Sequence, residues 1–257
     1  MSEVTSQLSG GVLTITISRP DKKNALTNSM YGALADALEQ AEASDEIRVV
    51  VFQADGEIFS AGNDLGEFTA QSQNKGPAVR QVERFLRNLI GARKPMIAAV
   101  QGKAVGVGTT MLLHCDMVVL ADDAQLIAPF INLALVPEAS SSLLMPARIG
   151  HVRAFEMFAL GEPVVASDAL AWGLANRVVA RDQLRAQAQS LAQRLAEKPA
   201  GAVALAKGLM RNTDQLLEHM ECEGKIFSAQ LRSAEAKEAF RAFAEKRKPD
   251  FSRVTRV

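Results

Sequence analysis

In the stretch LALVPEASSSLLMP, residues 133–146, one acid, Glu138, follows a proline and precedes three serines in an otherwise uncharged setting. Such a carboxyl is either a turn residue capping a helix that begins near Ser140, or a group kept for proton transfer. Apolar neighbours such as Leu133, Leu135 and Leu143 would favour its neutral form and lift its pKa toward the working pH. Two other stretches carry small residues at turns. EIFSAGNDLGEF, residues 57–68, places Ser60, Ala61 and Gly62 where a ligand can approach the backbone closely. QGKAVGVGTTMLL, residues 101–113, runs through Gly106 and Gly108 into a helix start, whose unpaired N–H groups suit an anion or a developing oxyanion. Alone, each reads as readily as a structural turn. Together they offer two N–H donors to one ligand atom, the arrangement of an oxyanion hole, which suits acyl and thioester chemistry.

Other chemistries find less support. Met111 stands where a dinucleotide fingerprint would have its third glycine, and no phosphate-loop lysine–serine pair follows. His114, His151 and His219 have no metal-ligand spacing, so no metal is expected. Ser140, Ser141 and Ser142 lack the small-x-Ser-x-small elbow of a serine nucleophile, and helix capping explains at least one of them.

Several elements must position these residues. GVLTITISRP alternates and stops at Pro20, which predicts a strand, and Met30, Leu34, Ala37, Leu38 and Ala41 predict an amphipathic helix ending near Ser44. IRVVVFQA, KPMIAAVQG and CDMVVLAD read as buried strands, with VGVGTTMLLH as a helix between the last two. Strand, loop, helix and strand in succession predict an α/β layered domain. Beyond Ser140 the pattern is helical apart from a strand at ANRVVA, with a stripe at Leu184, Ala188, Leu191 and Leu195 and further helices over 199–210, 214–231 and 234–246. Their apolar faces need cover, which another subunit could supply. The polar stretch TAQSQNKGPAVRQ, residues 69–81, is the best candidate for a mobile loop bordering a site.

Composition narrows the class. The 257 residues, 48% hydrophobic and 23% charged, describe a globular chain able to bury a sizeable core. Its 29 basic and 29 acidic residues cancel, so no global field attracts nucleic acid or an anionic membrane. No run is long enough to span a bilayer, the N-terminus has no secretory pattern and the terminal RVTRV matches no organelle address, so the expected setting is cytoplasmic. Cys115 and Cys222 are read as buried thiols in a reducing compartment.

The motifs RPDKKNAL, FSAGNDLGEF, VQGKAVGVGTTMLLHCDMVVLADDAQL and LALVPEASSSLLMPARIG, in this order, resemble those of the crotonase, or enoyl-CoA hydratase/isomerase, superfamily. ALGEPVVASDALAWGLANRVV and EAKEAFRAFAEKRKPDF extend the match over nearly the whole chain. The resemblance implies an α/β fold with a ββα spiral core, residues 1–195, followed by a C-terminal helical region, 196–257, for trimerisation and closure of the site, with trimers often stacked in pairs. It implies an acyl-CoA thioester substrate and no cofactor, coenzyme A being part of the substrate. By position, the N–H groups of Ala61 and Val107 would form the oxyanion hole. Gly62, Asn63 and Asp64 would lie near the adenine end, Ser60, Gly106 and Gly108 would be further substrate-binding residues, and Ala25 and Leu26 would line the coenzyme groove. Phe240, Phe243 and Lys246 would meet the coenzyme from the last helix. Leu65, Phe68, Phe85, Leu89 and Leu112 are candidates for the acyl pocket, which core packing explains as easily.

Departures from the family pattern bear on the reaction. The two glutamates of a typical hydratase fall on Thr110 and Phe130, while Pro137-Glu138-Ala139-Ser140-Ser141 resembles the segment that carries the single carboxylate of Δ3,Δ2-enoyl-CoA isomerases. The resemblance therefore points to an isomerase with Glu138 as base. Hydration or thioester hydrolysis on the same fold, and a non-catalytic thioester-binding protein, are the alternatives.

Overall fold

The computed structural model describes residues 2–72 and 75–253. The terminal Val-Thr-Arg-Val and two residues of the expected loop, Gln73 and Asn74, lie outside the described residues. Of that loop, the part up to Ser72 is helical, continuing a helix from Leu65.

The apolar runs form one six-stranded sheet. Val4–Ser9 (β1) pairs antiparallel with Val12–Ile17 (β2), and Val49–Ala54 (β3), Met96–Val100 (β4), Met117–Ala121 (β6) and Arg177–Val179 (β9) follow in parallel, in the order β1-β2-β3-β4-β6-β9. The middle strands β3, β4 and β6 are apolar but for Gln53 because both faces are covered. Leu13, Ile15, Val50, Phe52, Ala98 and Leu120 face the larger core with Asn28–Ala43 (α1) and Gln81–Gly91 (α3). Val12, Val49, Val51, Ile97, Ala99 and Val119 pack against the Leu184 stripe of Leu184–Ala196 (α8). That stripe therefore finds its cover within the chain.

A second, smaller sheet orders Lys103–Val105 (β5), Gln125–Ile127 (β7) and Val164–Val165 (β8). Successive turns of the chain give one strand to each sheet and then a helix, as in a ββα spiral. Ser60 joins β5 as an isolated parallel bridge: its N–H donates to the Lys103 carbonyl (3.1 Å) and its carbonyl accepts from the Val105 N–H (2.9 Å). Two neighbouring chains running parallel must leave the sheet side by side. The turn at Ala61–Asn63 therefore lies beside the turn at Gly106–Val107, just ahead of Leu65–Ser72 (α2) and Val107–Thr110 (α4).

The remaining helices are Ser141–Ile149 (α5), His151–Leu160 (α6), Ala166–Trp172 (α7), Ala200–Leu209 (α9), Thr213–Leu231 (α10) and Ala234–Ala244 (α11). α10 returns across the sequence to the larger core through Leu216, Met220, Phe227 and Leu231. Large apolar side chains stay exposed on α6 (Val152, Phe155) and at the end of α9 (Leu205, Leu209, Met210). No described helix is long and apolar enough to cross a membrane. Cys115 is buried as expected, whereas Cys222 stands exposed on the outer face of α10, which corrects its reading as a buried thiol.

The two adjacent turns explain one glycine. Gly62 has φ +86°, and a Cβ there would lie 2.8 Å from the Val105 carbonyl oxygen, a backbone atom that cannot move without breaking the bridge. Gly62→Ala is expected to destabilise the fold by on the order of 1–3 kcal/mol, read as a lower urea midpoint with an unchanged m-value.

Candidate active site

The loop before α1 is built to press against the first turn. Lys23 and Asn24 both take left-handed backbone conformations. The buried Asn24 amide donates to the Asp55 (2.8 Å) and Ile58 (2.9 Å) carbonyls, while its Oδ1 accepts from the Arg19 N–H (2.7 Å). One consequence corrects an expectation. The Lys23 carbonyl accepts the Ala61 N–H at 2.9 Å, so Ala61 has no donor to give a ligand. Two residues on, the Asn63 N–H has no acceptor among the described residues, nor has that of Val107 at the start of α4. The free pair of amides is Asn63 and Val107.

Other expected ligand contacts are structural. The Ser60 hydroxyl is buried, donating to the Asn24 carbonyl (2.9 Å) and accepting from the Gly62 N–H (3.1 Å). Gly108 abuts Ser60, where a Cβ would meet the serine Cβ at 3.1 Å. The Asp64 carboxylate is held low in pKa chiefly by Arg19, at 2.8 Å, and it caps α2 by accepting from the Gly66 N–H (2.9 Å). Ala25 and Leu26 have their N–H groups engaged, and each carbonyl has already accepted one bond, from Arg19 and Asp64 respectively. They retain only second lone pairs for a coenzyme. Phe240 is core, its ring centroid 6.3 Å from that of Phe68, and Lys246 stands exposed past α11, lining neither cavity described below.

A cavity of about 640 Å³ opens between α2, α3, α10 and the segment before α5. Asn63, Phe68, Leu86, Glu138, Met220 and Phe227 line it, with Arg80, Glu83, Arg87 and Lys225 among its charged residues. A smaller cavity of about 60 Å³ shares Asn63, Phe68 and Phe227 and reaches Gly62, Leu65, Gly106 and Phe130. Of the expected pocket residues, Phe68 and Leu65 line these spaces, whereas Phe85, Leu89 and Leu112 are packed in the core. The face of α3 turned to the larger cavity is Val82, Glu83 and Leu86 instead.

Glu138 enters this cavity with its Oε1 buried and without a hydrogen-bond partner. Burial first, and the nearby Glu223 carboxylate second, push its pKa up to about 7. It does not cap α5. The following residues, Ala139 and Ser140, are both left-handed (φ 62° and 55°), at a cost of on the order of 1–2 kcal/mol each for non-glycine residues. Distant groups hold them there. The Ser140 N–H donates to Glu223 Oε2 (2.6 Å), the Ser142 N–H and hydroxyl donate to Oε1 (2.9 and 2.6 Å), and the Ser140 hydroxyl donates to the Leu216 carbonyl (2.6 Å). No serine hydroxyl caps this helix, contrary to expectation; a glutamate from α10 does so. On the other side His114 Nε2 donates to the Ala139 carbonyl (2.7 Å), and Arg211 donates to its Nδ1. Burial, then the Arg211 charge, pull the His114 pKa down to about 3, so the ring is neutral with its proton on Nε2. Tyr31 is also buried; its hydroxyl donates to Asn63 Oδ1 (2.5 Å) and its pKa is raised by burial and then by Glu138. The positions of the hydratase pair hold Thr110, whose buried hydroxyl has no partner, and Phe130, packed on Phe158 with ring centroids 6.2 Å apart.

Tyr31, Leu86, Met220 and Glu223 were not among the expected site residues. Leu86 and Met220 lie on helical stripes that read as core, and the contact of Glu223 with the Glu138 turn spans 81 to 83 residues of sequence.

Two free amides at neighbouring turns, a cavity and a carboxyl with a buried, unpartnered oxygen are the features of this region. The chain belongs to the enoyl-CoA hydratase/isomerase family, the crotonase superfamily, whose model matches residues 7–254. It is similar to a 1,2-epoxyphenylacetyl-CoA isomerase of Escherichia coli K12, with 33% identity over 98% of this chain and 99% of the relative. It is also similar to the enoyl-CoA delta isomerase 2 of Rattus norvegicus, with 34% identity over 89% of this chain and 59% of the relative. Other relatives at 30–31% identity carry the name of probable enoyl-CoA hydratases. A crystal structure of an enoyl-CoA hydratase/isomerase from Pseudoalteromonas atlantica T6c superposes with a TM-score of 0.93 and 42% identity, covering 97% of this chain and all of that one.

The raised pKa of Glu138 has a sign for stability. Between its ordinary value near 4.5 and about 7 the unfolded chain loses this proton while the folded chain keeps it, so stability falls as pH rises through that window. Glu138→Gln removes the penalty. The variant is expected to melt higher than the wild type at pH 8 and at the same temperature near pH 4, in paired thermal melts.

Proposed function

We propose that this acyl-CoA enzyme is a Δ3,Δ2-enoyl-CoA isomerase. The observation that carries the reading is the Glu138 carboxyl, whose Oε1 is buried and unpartnered in the same cavity as Asn63, with Thr110 and Phe130 where a water-holding pair would stand.

The thioester oxygen accepts from the Asn63 and Val107 N–H groups. Glu138 Oε1 takes a proton from C2; the C2–H electron pair forms a C1–C2 double bond as the carbonyl π pair moves onto the thioester oxygen, giving a dienolate whose negative charge that oxygen holds. As the carbonyl re-forms, the C1–C2 π pair moves to C2–C3 and the C3–C4 π pair is offered at C4 for a proton. Glu138 then returns the proton to C4. No water and no second acid is required, and every step is given to groups of the protein, coenzyme A being part of the substrate. A carboxyl whose pKa is near 7 suits both halves, since it is neither too weak a base to take the proton nor too weak an acid to return it. Each oxyanion donor is worth about 3–4 kcal/mol at the transition state.

The same reading assigns residues 196–257 to oligomerisation and closure of the site. The exposed Leu205, Leu209 and Met210 and the α6 face with Val152 and Phe155 support a homotrimer, with pairing of trimers as its next level. A cytoplasmic setting goes with it, supported by two cysteines that form no disulfide.

Turnover of a 3-enoyl-CoA to the conjugated 2-enoyl-CoA tests the reaction, with hydration of a 2-enoyl-CoA run beside it. Isomerisation is expected to exceed hydration, and Glu138→Gln to lower it by about 10²–10⁴-fold. The base must be ionised to act, so kcat/KM should fall on the acidic side of about pH 7. Dominant hydration or thioester hydrolysis, binding without turnover, or an acidic limb at the ordinary carboxylate pKa would each contradict the reading.

A further inference from the structure

Glu223 is an acid that the proposed reaction does not use, buried to 6% exposure in the middle of α10 and set behind the base. We propose that Glu223 is the positioning residue of Glu138: its carboxylate holds the left-handed turn that carries Glu138 into the cavity, and keeps a second negative charge beside it. The inference rests on Glu138 as the base.

The geometry carries it in two ways. Three donors converge on the two Glu223 oxygens, the Ser140 and Ser142 N–H groups and the Ser142 hydroxyl, at 2.6 to 2.9 Å. Three donors suit an ionised acceptor, which has no proton of its own to place. Two of them are backbone amides, that of Ser140 within the strained turn and that of Ser142 two residues beyond it, so the orientation of Glu138 is tied to α10 as well as to its own segment. The Ser140 hydroxyl is spent on the Leu216 carbonyl, leaving no local cap for these amides. A neutral side chain could also cap a helix start. A buried carboxylate beside another carboxyl raises the electrostatic cost of the site, and a structural cap alone gives no reason for that cost.

The charged and titratable surroundings are few. On α10, His219 Nε2 lies 3.5 Å from Glu223 Oε1 and 2.8 Å from the Ser142 hydroxyl, and Glu221, Lys225 and Arg232 line the same cavity as Glu138. From α1 comes the Tyr31 hydroxyl, from α3 Glu83 and Arg87, and from just before it Arg80; Arg87 pairs with Glu221 at 2.8 Å. Under the turn, His114 is neutral. Glu223 is thus the carboxylate placed to disfavour ionisation of Glu138; its own pKa is raised, because burial outweighs the three hydrogen bonds that lower it.

The test uses the full chain with 13C-labelled glutamate carboxyls, following the Glu138 signal by NMR against pH and assigning it by its loss in Glu138→Gln. Glu223→Gln removes the charge at nearly constant shape and is expected to lower the Glu138 midpoint by about one pH unit, with the acidic limb of kcat/KM moving alongside. Glu223→Asp keeps the charge but draws it back from the two amides; it is expected to leave the midpoint in place and lower kcat about tenfold with KM within about twofold. A folded Glu223→Gln with an unmoved midpoint overturns the proposal, as does Glu223→Asp with wild-type kcat, which covers the case in which the glutamine variant does not fold. If Glu138→Gln proves fully active, the proposed reaction fails, whereas a shifted midpoint would still establish the coupling. If Glu138→Gln is inactive and neither Glu223 variant has an effect, only the role of Glu223 falls.

Discussion

The two hydrogen bonds of Ser60, to Lys103 and Val105 at 3.1 and 2.9 Å, are the contacts on which the candidate site depends. They extend the small sheet by one residue and so force two separate strand-to-helix turns to leave it side by side. The free N–H groups of Asn63 and Val107 are a consequence of that register. Gly62 is a consequence too, because the approach to the Val105 carbonyl leaves no room for a Cβ. The buried Asn24, the left-handed Lys23 and the Arg19–Asp64 pair then hold the loop against this turn.

Across the cavity the opposite strategy operates. There the chain leaves the Glu138 Oε1 unsatisfied, along with the Ser141 hydroxyl three residues on, and holds the turn with groups imported from elsewhere: Glu223 and Leu216 from α10, and His114 from behind the second turn. A buried group without a partner costs stability, and one whose pKa lies near 7 can both gain and lose a proton in ordinary conditions. Two left-handed residues next to the acid are consistent with strain held at a functional site. Donors fixed on one side and a mobile proton on the other are the two parts that chemistry through a thioester enolate needs.

Much of this was legible in the sequence. Apolar runs gave β2, β3, β4 and β6, helical spacing gave α1 and α8 to α11, and Glu138 stood out by its isolation among apolar residues. β1 was missed because five of its six side chains are exposed and all of those but Leu8 are polar, so the segment reads as an open terminus. The choice of Ala61 over Asn63 failed because spacing cannot say which amide of a turn is already taken; that depends on the conformation of Lys23. Glu223 was hidden in a helix that reads as an ordinary amphipathic one, and its contact with Ser140 spans 83 residues of sequence. Cys222, one residue before it, was misread as buried because α10 turns a different face to the core at each position.

The central claim is that one carboxyl, on one face of the substrate, carries the proton from C2 to C4. Single-turnover conversion of a 3-enoyl-CoA deuterated at C2 tests it most directly, with the product analysed for label at C4. Deuterium retained at C4, and lost together with turnover in Glu138→Gln, is the expected result. Deuterium released entirely to water in the first turnover, with C4 protonated from solvent, would contradict it.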